Sequence, residues 1–436
     1  MRWSLLRIPA FRALWVGRLL SWVVGGLAPL ALVFAAVDLG ADATQLGLVV
    51  AARAVPNVVL VLVGGALADR LPRRLVATAS SVVSAASLVA AGVLLLTGSE
   101  TLVTLAVAAA LTGAAAAFFG PASSAMLRDV LVEPLVRDGT VLARISMNVG
   151  LIVGTALGGA LVGVAGTGSA LLVGAGLSVA AALAFARVPR SVTGASGSGS
   201  LLHDLGSGIG FVARSPWLRA TMALAFVHQL SFAGGVQVIG PLVADESFGR
   251  VLWGFAGAVQ TLGLVVGAVW AGRLRGRLRL AVACLATSAL VLPLVLLAGA
   301  HVDQPEVLDA PYVDPLHWAF WLCLGLFMSS VGLELFTVPL DVAIQTLVPR
   351  AYLGRVFGAL TLATLAGIPV GELVVGPLAD QFGTPGALLG LAGLIAVVAV
   401  GVAVSPRVRR IDAPAVLSAD ERVGHGPSGQ QPSDQR

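Results

Sequence analysis

The chain has 436 residues, of which 57% are hydrophobic and only 11% are charged, and its mean hydropathy is +0.95. In a soluble domain roughly a quarter of all residues are charged, so this composition excludes a water-soluble globular protein. All 27 basic residues are arginines and the formal net charge is +5, but no separate basic domain of the kind that binds nucleic acid is present.

Six long apolar stretches fill the first part of the chain. A membrane-spanning helix needs about 20 apolar residues, and each stretch is close to this length or longer. The first stretch is too long for a signal-peptide core and has no convincing cleavage site, so it is interpreted as a retained span. The predicted spans run from about Phe11 to Val37, Gln45 to Leu67, Val76 to Leu96, Leu102 to Leu127, Val141 to Val164 and Ser169 to Ala186.

A second set of six spans follows a change in composition. Residues 190–216 include a Ser- and Gly-rich run that predicts a flexible cytoplasmic linker. It separates an N-terminal half, residues 1–189, from a C-terminal half, residues 217–406, and residues 407–436 are predicted to be a disordered cytoplasmic tail. The spans of the second half run from about Ala220 to Val243, Val251 to Ala271, Leu280 to Gly299, Leu316 to Ala343, Val356 to Leu378 and Ala387 to Val404. The sequence therefore predicts an all-α integral membrane protein with twelve transmembrane helices.

The positions of the arginines give the predicted orientation. Arginine resists transfer across the bilayer, so loops rich in arginine stay in the cytoplasm. With twelve spans, Arg250 is the one arginine outside the membrane that falls on the predicted external side, while Arg18, Arg53 and Arg144 fall inside spans. We therefore expect both termini to be cytoplasmic.

The loop after the second span carries a recognisable motif. Its sequence, Gly-Gly-Ala-Leu-Ala-Asp-Arg-Leu-Pro-Arg-Arg at residues 64–74, resembles the Gly-x-Leu-Ala-Asp-Arg-x-Gly-Arg-Arg signature of the major facilitator superfamily, with Pro72 in place of the second glycine. The resemblance implies two pseudo-symmetric six-helix halves with a substrate site near mid-membrane between them. The matching residues are Gly65, Asp69, Arg70, Arg73 and Arg74.

The resemblance also implies a mechanical role for this motif. In the family the aspartate faces the N-terminal end of the eleventh span, where exposed amide groups favour an acid. In this chain Asp69 would meet residues 354–356 and act, with the neighbouring arginines, as a conformational latch. We expect Asp69→Asn to slow transport and to leave substrate affinity nearly intact.

The two halves are related in sequence. A shift of 217 residues aligns Gly154, Gly159 and Gly166 with Gly371, Gly376 and Gly383. A shift of 203 residues aligns Arg70, Leu71 and Arg74 with Arg273, Leu274 and Arg277, although Asp69 then meets Gly272. The second copy of the loop motif is therefore degraded.

Within the superfamily the chain resembles the bacterial branch of drug and siderophore exporters, which includes enterobactin exporters and macrolide efflux proteins. The resemblance lies in residues 11–21, 53–56 and 348–356, and in the glycine-rich segment 148–159 of the fifth span. Thr155 stands where that segment usually has proline, and the fourth span lacks the arginine that many proton-driven antiporters carry. The resemblance implies a secondary exporter in a bacterial cytoplasmic membrane.

Ionisable side chains inside the spans are the candidate functional residues. Each costs at least about 2.5 kcal/mol at the centre of the bilayer unless it is paired or hydrated. Glu334 is the first candidate for a proton or cation site, because the tenth span resembles a cavity-lining helix of the family. Asp341 lies seven residues later on roughly the same face and is interpreted as more structural. Glu372 is the second candidate and occupies the position of Thr155 in the repeat. Alternatively, each carboxylate simply pairs with an arginine for structural reasons or faces a water-filled cavity.

Several uncharged or basic side chains are further candidates. Arg53 is predicted to form a structural pair rather than a substrate contact. The other polar candidates could contact substrate, but each alone is more often a helix-packing hydrogen bond; they are His228, Gln229, Gln237 and Asn148. The tryptophans at positions 15, 22, 253 and 270 are interpreted as interface anchors or packing residues.

No catalytic constellation or phosphate-binding loop is present in the sequence, and the two cysteines lie inside apolar runs, which indicates neither a disulfide framework nor a metal site. We therefore expect a protein that is not an enzyme and needs no cofactor. The main hypothesis is a monomeric exporter of amphipathic small molecules, such as a drug or a secreted metabolite, that exchanges them for protons by alternating access in the lipid bilayer. The alternatives are a mover of lipids or lysolipids and a non-transporting membrane sensor or partner subunit.

Overall fold

The protein is described by a computed structural model that covers residues 3–68, 72–189, 210–274, 279–302, 315–349, 352–409 and 411, with the side chains of residues 3, 62–68, 137 and 315 excepted. Eleven helices in these ranges are long and apolar enough to cross a membrane. The predicted linker lies mostly outside the described residues, as does the tail beyond residue 411, so the domain boundaries stay a prediction.

Six of these helices form the first half, after a short 3-10 helix at Trp3–Arg7. They are α1 Pro9–Asp38, α2 Ala43–Ala68, α3 Arg73–Leu96, α4 Leu102–Val130, α5 Glu133–Ala165 and α6 Thr167–Ala186. Within this half α1 packs against α5 and α6, and α3 packs against α4 and α6.

The second half starts with α7 Pro216–Ser247, α8 Arg250–Arg273, α9 Leu280–Val302 and α10 Pro315–Leu347. The last long helix, Leu353–Val404, is interrupted at Gly383, whose backbone has φ 76° and ψ 158°. A side chain would strain this conformation, which is almost restricted to glycine. We therefore number residues 353–382 as α11 and residues 384–404 as α12, each long enough to span a bilayer.

Each predicted span overlaps one of these helices, but several helices extend beyond the predicted boundaries. The fifth helix begins at Glu133 rather than Val141, because a proline in its first turn is pre-organised for helix. The seventh helix continues beyond the predicted end at Val243 to Ser247, so Asp245 and Glu246 lie within a helix. Hydropathy detects only the apolar part of a helix, so it misses ends that extend into the polar interface.

The glycines aligned by the sequence repeat have equivalent positions in both halves. A Cβ at Gly154 would overlap the Val23 carbonyl group on α1, and a Cβ at Gly371 would overlap the Leu230 carbonyl group on α7. Gly166 separates α5 from α6 with a positive φ of 81°, as Gly383 separates α11 from α12. The repeat is therefore present in the structure as well as in the sequence.

The remaining pair of aligned glycines lies between the halves. A Cβ at Gly159 on α5 would overlap Gly254 on α8, and a Cβ at Gly376 on α11 would overlap the backbone of Thr44 on α2. The halves therefore approach each other along two helix pairs, α5 with α8 and α2 with α11. Such close contacts need small residues.

Candidate functional site

A cavity of about 330 Å³ lies between the two halves. Helices α1, α2, α4 and α5 line it from the first half, and helices α7, α8, α10 and α11 line it from the second. Its wall is mostly apolar, with aromatic rings from Phe232 and Trp253. The polar and charged residues in the wall are Arg53, Asn57, Thr155, Gln237, Gln260 and Glu372.

Helix α2 contributes a regular face to this wall. Its lining residues recur in pairs about four positions apart, at residues 49–50, 53–54 and 57–58, which is the spacing of one side of an α-helix. The amide nitrogen of Asn57 donates a hydrogen bond to the carbonyl oxygen of Gly113 on α4 at 3.1 Å. A Cβ at Gly113 would overlap the Arg53 carbonyl group. The position of Arg53 is therefore set by close packing between α2 and α4.

Helix α7 changes its helical period at the cavity. Residues Ala233–Ile239 form a π-helix between two α-helical segments, and such wider turns are frequent at functional sites. Among the lining residues, Val236 and Gln237 follow Phe232 by four and five positions, and Pro241 follows Gln237 by four. The π-helix thus turns an amide side chain and an aromatic ring towards the same space.

Glu372 and Arg53 face this cavity from opposite halves. Glu372 is 2% exposed, and its Oε2 atom has no hydrogen-bond partner among the described residues. It interacts electrostatically with Arg53, although the two form no ion pair. The backbone of the same glutamate touches α2, because a Cβ at Gly47 would overlap the Glu372 carbonyl oxygen.

Glu334 lies outside the described lining of this cavity, although α10 reaches the cavity through Leu326. Its carboxylate accepts a hydrogen bond of 3.3 Å from the Thr337 hydroxyl group. It also interacts electrostatically with Asp341 on its own helix and with Arg144 on α5 of the other half. No ion pair joins Arg144 to either carboxylate. The three residues form a separate charged group that spans the halves.

The remaining polar candidates do not line the described cavity. His228 is 2% exposed, and its Nδ1 atom lies 3.4 Å from Oε1 of Gln229. Asn148 is half-buried in α5. Their helix-packing interpretation therefore agrees with their positions better than a direct substrate contact does.

The loop motif is described only in part. Gly65 lies in the last turns of α2, while Asp69 and Arg70 lie outside the described residues, so the latch stays a prediction. Arg73 begins α3 and forms an ion pair of 2.7 Å with Asp129 at the end of α4. Arg74 is half-buried in the same first turn.

Asn57 and Gln260 line the wall but were not among the residues predicted from the sequence, and the two alternatives for the tryptophans apply to different positions. Trp253 is 7% exposed and packs against Gly240 beside the cavity, so it is not an interface anchor, whereas Trp270 is 51% exposed on the outer surface. Gln260 follows Trp253 by seven residues on one face of α8. That spacing of polar and aromatic side chains in an apolar helix was the available signal.

Contacts between the halves close one end of the cavity, the end at which α1 terminates in Asp38. There Arg250 forms ion pairs with Asp38 of the other half at 2.6 Å and with Asp245 at 2.5 Å. The Thr44 hydroxyl group donates a hydrogen bond of 2.6 Å to Asp380 across the same interface. We call this the Asp38 end; it is the predicted external end.

Comparison with known proteins agrees with this architecture. The sequence profile of the Major Facilitator Superfamily matches residues 14–308, which is more than half of the chain. The chain belongs to the major facilitator superfamily. It is therefore a multi-pass membrane transport protein and not an enzyme.

Two curated relatives and one solved structure are similar to the chain over most of its length. It is 27% identical to the multidrug efflux pump Tap of Mycolicibacterium fortuitum, over 85% of this chain and 89% of the relative. It is 25% identical to the enterobactin exporter EntS of Escherichia coli O1:K1 / APEC, over 96% and 97%. The nucleoside transporter NupG shares the fold with a TM-score of 0.70 at 16% identity, over 90% of this chain and 98% of that one. The resemblance to the exporter branch is thus confirmed.

Proposed function

We propose that this superfamily member exports amphipathic small molecules in exchange for protons, with Glu372 as the residue that carries the proton. The observation that carries the proposal is the position of Glu372, a buried carboxylate in the wall of the cavity between the halves. The names of the efflux pump and exporter relatives support the direction of transport.

The surroundings of Glu372 suit a residue that changes its protonation state. Burial favours a neutral carboxyl group, whereas a nearby arginine favours the charged form. Both burial and a nearby arginine act on Glu372, because it is almost fully buried and interacts with Arg53 of the other half. Uptake of a proton therefore removes an attraction between the halves, which links proton binding to their relative movement.

The remainder of the cavity suits an amphipathic substrate. Binding sites for small molecules are typically clefts of about 300–1,000 Å³ with apolar walls and a few polar groups. Here the apolar wall carries the rings of Phe232 and Trp253 and the amides of Gln237 and Gln260. These groups can bind a flat apolar body and fix its polar edge.

Alternating access requires each end of the cavity to close in turn. The Asp38 end is closed by the contacts of Arg250 and Thr44. At the other end Arg144 interacts with Glu334 and Asp341 without an ion pair. We assign this structure to the conformation closed towards the outside, in which substrate enters from the cytoplasm.

Transport by the purified chain in lipid vesicles with an imposed pH gradient tests the proposal. Ethidium serves as the amphipathic probe, and we expect it to accumulate where the proton concentration is high. Glu372→Gln should reduce gradient-driven accumulation by about tenfold or more, equivalent to about 1.4 kcal/mol of coupling, while exchange of ethidium without a gradient continues.

Glu334→Gln is the matched control, since it makes the same change on a helix of the same half but outside the cavity. It should retain gradient-driven transport. Normal accumulation by Glu372→Gln would contradict the proton role of this residue. Movement of a fluorescent phospholipid without any movement of ethidium would instead favour the lipid-mover alternative, and binding of ethidium without flux would favour a sensor.

A further inference from the structure

A second and smaller cavity, about 60 Å³ in volume, lies inside the first half. Helices α1, α2, α3, α4 and α6 enclose it, and Arg53 stands between it and the central cavity because this residue lines both. The lining contains no carboxylate. Six hydroxyl side chains surround the space, namely Ser21, Ser80, Ser81, Ser84, Thr112 and Ser178.

Three of these hydroxyl groups already donate their protons in hydrogen bonds to the backbone. Ser81 donates to the carbonyl oxygen of Ala77 at 3.1 Å, Thr112 to that of Ala109 at 2.9 Å, and Ser178 to that of Gly174 at 2.9 Å. Such groups offer only lone pairs to the cavity. They can hold a water molecule there but cannot bind an anion directly.

The other three hydroxyl groups have protons to donate. Ser21, Ser80 and Ser84 make no hydrogen bond to a described residue, although Ser80 is only 8% exposed. Each of these hydroxyl groups can therefore donate a hydrogen bond to a molecule or ion in the cavity. Ser80 and Ser84 lie one turn apart on α3, so their side chains share one face of that helix, and Ser21 approaches from α1.

Arg53 brings a positive charge to the same space. Its guanidinium group makes no hydrogen bond and no ion pair with the part of the chain that the structure describes. The carboxylate with which it interacts is Glu372, on the opposite half. When Glu372 carries a proton, or when the halves separate, the charge of Arg53 remains inside the membrane protein without compensation, which is costly.

We propose that the hydroxyl-lined cavity binds one small monovalent anion of the size of chloride, held by the Arg53 guanidinium group and the hydroxyl groups of Ser21, Ser80 and Ser84. A volume of about 60 Å³ admits such an ion with a water molecule but no transported drug. The site goes beyond the exporter function proposed above; only its link to the protonation of Glu372 rests on that function.

Anion-dependent stability of the purified chain in detergent tests this site. The protein is dialysed into sodium gluconate, and chloride replaces gluconate at constant ionic strength while the unfolding temperature is measured. We expect a saturable rise with chloride. Line broadening of the chloride-35 NMR signal, reversed by excess bromide, provides a second measurement that does not depend on unfolding.

Variants identify the residues that hold the ion. Arg53→Gln should abolish both signals, whereas Arg187→Gln, which removes an exposed arginine at the end of α6, should retain them. If Arg53→Gln does not fold, the Ser80→Ala/Ser84→Ala variant still tests the site. It should weaken chloride binding by about a hundredfold or more through the loss of two hydrogen bonds to an ion.

Glu372→Gln separates this inference from the proposed function. Without the negative charge of Glu372, chloride should bind at least about tenfold more tightly, because one unit charge at an effective interior dielectric near 20 contributes at least about 1.4 kcal/mol out to about 12 Å. Chloride binding together with unchanged transport by Glu372→Gln would contradict only the proton role. The anion site would be wrong if chloride did not change the unfolding temperature, or if Arg53→Gln responded to chloride like the parent protein. It would also be wrong if replacing gluconate with formate raised the unfolding temperature more than chloride does. That result would indicate a site for carboxylate groups of substrates.

Discussion

Arg53 and Glu372 are buried charges on helices from opposite halves, and the cost of burying each depends on the other. Removing one partner of such a pair leaves an uncompensated charge, which destabilises a protein more than removing both. The two residues interact without a direct ion pair, so their coupling should be moderate. It should also grow when no anion is available to Arg53.

A double-mutant cycle measures this coupling. We expect Glu372→Gln alone to lower the unfolding temperature in chloride-free gluconate, and Arg53→Gln/Glu372→Gln to recover most of the loss, with an interaction energy of about 0.5–3 kcal/mol. The measurement is thermal unfolding of the three variants and the parent protein. Additive effects of the two substitutions would show that the residues do not interact.

The ionisable candidates could be found from sequence, but their roles could not be ranked. Glu334 and Glu372 are both single carboxylates in apolar spans, and the sequence favoured Glu334 as the proton site. The structure places Glu372 in the cavity wall and Glu334 outside the described lining. Which face of a helix meets a cavity depends on how that helix is rotated against its neighbours, and one sequence does not contain this information.

At the scale of elements, glycine decides where helices meet. The sequence shows a repeat of glycines, in which Gly154, Gly159 and Gly166 correspond to Gly371, Gly376 and Gly383. In the structure, the two glycines of each aligned pair have equivalent positions in the two halves. The repeat itself showed only that these positions correspond in the two halves. It could not tell which of them face the other half, because that requires the partner helix to be known.

Gly254 shows how sensitive the contact between the halves should be. A Cβ at this position would lie 2.5 Å from the Gly159 Cα atom, so Gly254→Ala must push α8 away from α5. We expect a loss of about 1–3 kcal/mol in the stability of this conformation, the usual size of overpacking. The measurement is labelling of a cysteine placed at the Asp38 end by a water-soluble maleimide, which should become faster.

Gly390→Ala is the control for this change, since a Cβ at Gly390 on α12 has no atom within 4 Å. It should leave both stability and labelling unchanged. Equal labelling rates for the two variants would mean that the contact of α5 with α8 does not hold the Asp38 end closed.

At the scale of the molecule, charge and packing together close one end of the cavity. Arg250 is the single arginine that the predicted topology places outside the membrane on the external side, and the structure supplies its reason: it joins Asp38 of the first half to Asp245 of the second. Partly exposed ion pairs contribute only about 0–1 kcal/mol each. Such a weak closure can open and close during transport.

The final prediction tests whether this end must open. Thr44 on α2 and Asp380 on α11 meet across the interface, with 2.6 Å between the hydroxyl and carboxylate oxygens. In a background where Cys284 and Cys323 are replaced by serine, the variant Thr44→Cys/Asp380→Cys is linked with a short bifunctional thiol reagent that a reductant cleaves. We expect the linked protein to lose at least about nine-tenths of ethidium transport in vesicles and to recover it after reduction, because alternating access requires the halves to separate here.

The pair Thr167→Cys/Asp38→Cys controls for the chemistry of linking. These residues form a similar hydrogen bond of 2.8 Å at the same end, but both belong to the first half, so a link between them leaves the halves free to move. Each variant is compared with its own reduced form, which removes the effect of losing the carboxylate. Full transport by the linked Thr44→Cys/Asp380→Cys protein would show that substrate does not leave through the Asp38 end, and the assignment of that end as the external gate would be wrong.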